Sequence, residues 1–150
     1  MENRSPAQVY ALVFGVVLVA AGILGFFYEA SFATGDDTLR EREAVLGILD
    51  VNAWHNIVHI ATGALGLAAV GYAARAYAGG LGVVYLVVAI WGFIIGDGES
   101  ILGFIPVNTE DNVLHALIGL AGLGAYAATP AVTKPTTTRR TDAGAPGAAA

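Results

Sequence analysis

Cysteine is absent from these 150 residues. Disulfides, thiolate metal sites and thiol nucleophiles are excluded together. Charge is scarce too: 13% of residues are Asp, Glu, Lys or Arg, about half the share of an average soluble domain. The few charges avoid residues 7–27, 57–74, 78–96 and 113–128. At about 1.5 Å of rise per residue, the first three stretches each approach the roughly 30 Å of a bilayer core. The fourth is shorter, and uncharged residues 129–132 extend it. A soluble bundle would need polar outer faces, and these segments have none. The net charge of −5 argues against nucleic acid as a partner. No glycine-rich phosphate loop, Ser/His/Asp order or His-Glu-x-x-His motif occurs, so no enzyme and no cofactor are expected. The apolar run after Arg4 is too long for a signal peptide, and no small-x-small cleavage site follows it.

What is present is hydrophobic residue, 56% of the chain, and 20 glycines. The expected fold is all-α: an integral membrane four-helix bundle over residues 1–132, with helices at about 6–27, 53–77, 80–96 and 109–129. Ser5-Pro6-Ala7-Gln8 is a capping box with Pro at the first helical position. Asn52 caps the second helix, and Asn108 with Asp111 caps the fourth. Gly79-Gly80 is expected to turn the chain between the second and third helices, making them antiparallel neighbours. A long acidic connection precedes Asn52, and its residues 37–49 could form a short surface helix. Residues 100–106 read as a short amphipathic or re-entrant segment, and 133–150, rich in Thr, Pro, Gly and Ala, as a disordered tail. Most Trp and Tyr residues lie near the expected membrane boundaries; Trp91, in mid-helix, is expected to pack inside.

One stretch occurs twice. Residues 51–67 align with 107–123, and 7 of the 17 pairs are identical: Val51/Val107, Asn52/Asn108, Asn56/Asn112, His59/His115, Gly63/Gly119, Gly66/Gly122 and Leu67/Leu123. Upstream, residues 15–26 match 82–93 at 6 of 12 positions. Each half is thus one helix, an acidic loop and one Asn/His-bearing helix. With two crossings per half, the copies would run parallel about an axis along the membrane normal.

Lys and Arg set the orientation. Arg4, Arg75, Lys134, Arg139 and Arg140 fall on one side, and Arg40 and Arg42 on the other. Both termini are therefore expected in the cytoplasm, and the protein is a multi-pass plasma-membrane protein whose first partner is the lipid bilayer. A homo-oligomer or a larger membrane complex is a further possibility.

The chemistry-bearing residues form a stripe down the second and fourth helices. Asn56, His59, Gly63 and Gly66 follow one another in one, and Asn112, His115, Gly119 and Gly122 in the other. The glycines are expected to bring these two helices together, with the Asn–His pairs facing each other. One reading makes the polar residues fasteners that tie the bundle and its loop ends. The other makes them a ligand site, since a polar residue within a span is a functional candidate. Imidazoles could hold a metal, haem or quinone, or transfer protons. His55 and His59 stand at i, i+4, but Asp111 takes the place of His55 in the second half, so the metal set considered is His59, His115 and Asp111.

Trp-His-Asn-x-x-His-x-x-x-Gly-x-x-Gly-Leu at 54–67, Ala-Arg-x-Tyr at 74–77 and Ile-Pro-Val-Asn-x-x-Asp-Asn-x-Leu-His at 105–115 resemble the small membrane proteins catalogued as domain of unknown function 4383. The resemblance covers roughly residues 7–128. It implies four transmembrane helices and no established activity.

Overall fold

The computed structural model describes residues 4–131. The tail expected at 133–150 lies outside them. The described chain is mostly helical: α1 (Pro6–Gly25), α2 (Asp37–Arg40), α3 (Ala53–Ala69), α4 (Ala74–Ile95) and α5 (Thr109–Ala128). Between them lie two antiparallel hairpins, β1 (Glu43–Val45) with β2 (Leu49–Val51), and β3 (Glu99–Ile101) with β4 (Ile105–Val107). Of the helices, α1 and α4 are long and apolar enough to cross a membrane.

The caps form as the local sequence requires. Ser5 Oγ accepts from the Gln8 N–H while Gln8 Oε1 accepts from the Ser5 N–H. Asn52 Oδ1 accepts from the His55 N–H at 3.0 Å, and Asn108 Oδ1 from the Asp111 N–H at 2.8 Å. These are interactions across three residues, which is why the sequence alone signals them.

Three expectations are corrected. The chain between α3 and α4 turns at residues 70–73, and Gly79-Gly80 lies inside α4. Gly79 serves packing: a Cβ there would meet the Tyr126 ring at 2.7 Å, and Tyr126 in turn carries the Arg75 guanidinium 3.8 Å above its ring centre. The loop segments are short hairpins within a mostly helical, all-α chain: only Asp37–Arg40 of the expected 37–49 helix is helical, and 99–107 is a strand pair. Trp91 faces outward, 39% exposed.

Both hairpins turn on the same unusual dipeptide. Leu46-Gly47 and Leu102-Gly103 all have positive φ, and the Ile48 and Phe104 N–H groups bond back to the Val45 and Ile101 carbonyls. That is a type I′ turn with leucine at a position that favours Asn. The hairpins lie against each other and are cross-tied by the caps. Asn52 Nδ2 donates to the Phe104 carbonyl and Asn108 Nδ2 to the Ile48 carbonyl, each at 2.7 Å.

Helix pairing also differs from expectation. α1 packs along α3, and α4 along α5. A Cβ on Gly63 would meet the Gly15 carbonyl of α1 at 2.7 Å, and one on Gly119 the Gly82 carbonyl of α4 at 3.0 Å. These glycines therefore close α3 on α1 and α5 on α4, rather than α3 on α5. Gly66 and Gly122 make room for tyrosine hydroxyls: Tyr77 donates to the Thr62 carbonyl and Tyr10 to the Ile118 carbonyl, both at 3.1 Å. Those two bonds join α4 to α3 and α1 to α5.

Candidate functional site

The Asn/His/Gly stripe splits into two lines. At 3.6 residues per turn, residues seven apart lie within about 20° of each other, and residues three apart about 60° off. Asn56 and Gly63 fall on one line, which faces α1; His59 and Gly66 fall on the next, which faces the other half. Asn112/Gly119 and His115/Gly122 divide the same way.

The asparagines are tucked against glycine. Asn56 is fully buried, and its Nδ2 donates to the Glu29 carbonyl at 2.9 Å. A Cβ built on Gly25 would overlap Asn56 Oδ1, and one on Gly92 would overlap Asn112 Oδ1. The Cβ direction of glycine is the direction of one of its own Cα–H bonds. Neither Oδ1 has a conventional hydrogen-bond partner, and each instead faces a glycine Cα–H, a weak but real acceptor contact. This half of the stripe fastens α3 to α1 and α5 to α4.

The histidines converge elsewhere. His55, His59 and His115 each offer a ring nitrogen such that all three lie within 4.8 Å of one another. Ring centres are 4.4 Å apart for His55–His59, 6.0 Å for His55–His115 and 6.4 Å for His59–His115. The i, i+4 spacing on α3 puts the first two on one face, and α5 supplies the third. Tyr85 of α4 presents its ring to the edge of His115 at 5.1 Å and 83°. The rings border a cavity of about 70 Å³, closed on the hairpin side by Ile101 and Ile105. His115 Nδ1 and the Tyr85 hydroxyl are buried without a hydrogen-bond partner.

Asp111 is not in this cluster; of the metal set considered from the sequence, only His59 and His115 are. Its Oδ2 accepts from the Asn108 N–H at 3.3 Å and from the Asp50 N–H at 3.0 Å, which makes it a cap tied to β2. His55 holds the same residue from the other side, its Nδ1 lying 2.9 Å from the Asp50 carbonyl oxygen. The aligned position in the second hairpin is Pro106, which has no N–H to donate. The substitution of Asp for His between the halves thus follows from which backbone groups each residue must satisfy. Burial raises the Asp50 carboxyl above its ordinary value, while the Arg42 guanidinium, 3.3 Å away, acts in the opposite direction.

Sequence reading found the three histidines but missed Tyr85, Asp50, Gly25 and Gly92. Gly25 and Gly92 stand at matching positions of the two halves, which was the available signal. Nothing local marked Tyr85. No curated protein and no solved structure matches the chain. The sequence model of the family described as Domain of unknown function (DUF4383) matches residues 8–128, and this chain belongs to that family.

Proposed function

We propose that the chain is a non-catalytic, multi-pass plasma-membrane protein that binds a small ligand between its two halves, near the outer face. Four helices, α1, α3, α4 and α5, cross the bilayer with both termini in the cytoplasm. The outward faces support this: Val13, Val17, Leu65, Val87, Ile94 and Leu117 are among many large apolar side chains that are exposed, more than a water-facing surface carries. The halves are parallel repeats. That reading is supported by the paired bonds of Tyr10 and Tyr77, by the crossed Asn52 and Asn108 ties, and by the hairpin registers Glu43↔Val51 and Glu99↔Val107.

The observation that carries the binding reading is the convergence of three imidazoles on one cavity. A fastener needs a partner. Asn56 Nδ2 has the Glu29 carbonyl, and each asparagine Oδ1 is packed against a glycine Cα, whereas His115 Nδ1 and the Tyr85 hydroxyl have no hydrogen-bond partner. Leaving buried polar groups unmet costs on the order of 1–3 kcal/mol each, a cost that a ligand would remove.

Native mass spectrometry of the protein from mild detergent tests the reading. A stoichiometric non-protein mass is expected, and it should vanish in His59→Gln and His115→Gln. A bare chain, or lipid adducts indifferent to both substitutions, would refute it.

A further inference from the structure

We infer that the ligand is a divalent first-row transition-metal ion held by His55, His59 and His115; the inference rests on the binding reading above and names its ligand. Zinc is the ion the donor set fits best. The cluster offers three imidazole nitrogens with no carboxylate and no thiolate, which suits zinc and its neighbours and disfavours magnesium and calcium, which require oxygen. Three protein ligands with water in the fourth position is the arrangement of an open zinc site.

The geometry supplies three supporting arguments. First, the tautomer of His55 is fixed. A carbonyl oxygen can only accept, so at 2.9 Å from Asp50 O the Nδ1 atom carries the hydrogen, and Nε2 keeps its lone pair for a metal. A backbone carbonyl holding the far nitrogen of a ligating histidine is the usual outer support of such sites. Second, the spacing is close to what an ion needs. Zinc–nitrogen bonds of about 2.0–2.1 Å place tetrahedral ligands roughly 3.3 Å apart. The three histidine nitrogens already lie within 4.8 Å of one another. Third, the adjoining cavity of about 70 Å³ has room for an ion and its water, since one water needs only roughly 10–15 Å³ of such space. Tyr85 lines that cavity, and its hydroxyl is buried without a hydrogen-bond partner.

Glu43, Asp97, Glu99 and Glu110 are exposed on and beside the hairpins, and an acidic surface raises the local cation concentration.

The test uses full-length protein in mild detergent, stripped with a chelator, then titrated with Zn(II) or Co(II). One ion per chain is expected, with a melting temperature that climbs as free metal rises and, for Co(II), the visible absorption of a tetrahedral nitrogen site. Loss of an outer-support partner alone weakens metal sites about 10–100-fold, so His55→Gln, His59→Gln and His115→Gln should each lower affinity by more than about 100-fold. Tyr85→Phe should alter the Co(II) spectrum with a smaller loss. X-ray absorption on the unsubstituted zinc protein should show a three-imidazole shell, and it does not depend on the variants folding. No saturable binding, or binding unchanged in the histidine variants, sinks the metal assignment. If native mass spectrometry still shows a histidine-dependent mass, the binding reading survives that failure; if it shows none, both fall.

Discussion

Gly25→Ala probes the tuck of asparagine against glycine. The new methyl group would occupy the place of Asn56 Oδ1, so either the helices separate or the amide turns away. Overpacking costs about 1–3 kcal/mol. Turning the amide also breaks its bond to the Glu29 carbonyl, worth about 1 kcal/mol. Alanine regains at most about 1 kcal/mol of helix preference, and less at the last residue of α1. The net expectation is a loss of about 2–3 kcal/mol. Reversible unfolding by SDS in mixed micelles, followed by tryptophan fluorescence, measures it. The double variant Gly25→Ala/Asn56→Ala has room for the methyl group, so it should be no less stable than Asn56→Ala alone, a coupling of roughly 2 kcal/mol. Gly92→Ala with Asn112→Ala should repeat the pattern. Gly80→Ala, where no atom lies within 4 Å of the new carbon, should be neutral or slightly stabilising. Additive losses in the double variant, or a Gly25→Ala protein as stable as the parent, would refute the tuck.

Asn52→Ala and Asn108→Ala should each lose both a helix cap and a tie to the opposite hairpin, about 2 kcal/mol by the same assay. Leu46→Asn and Leu102→Asn relieve a leucine held at φ 56°; each should raise stability by roughly 1 kcal/mol, because the leucines are 74% and 63% exposed and lose little packing. A decrease would mean that these leucines contact lipid or a partner. Thr109→Cys should react with a membrane-impermeant thiol reagent added outside intact cells, and Ser5→Cys should not; the reverse pattern would invert the topology.

The sequence by itself marked the long apolar helices by their avoidance of charge, and α1 and α4 are long and apolar enough to cross a membrane. It determined the caps, since Ser5–Gln8 and Asn108–Asp111 interact across three residues. It also marked Asn56, His59, Asn112 and His115, by their recurrence. Tertiary structure decided the rest. Strands of three residues are too short to show alternation, and Leu-Gly gives no turn signal like Asn-Gly, so both hairpins were invisible. The break at 70–73 was hidden because Gly79, which looks like a turn residue, is small in order to seat Tyr126. Above all, a stripe of small and polar residues says which helix face is special without saying what it meets. Where the surroundings are as apolar as the interior, hydrophobic periodicity cannot distinguish one neighbour from another. Only the packed chain turns Asn56 and Gly63 toward α1 and His59 toward His115, and only it brings Asp50 between His55 and Asp111.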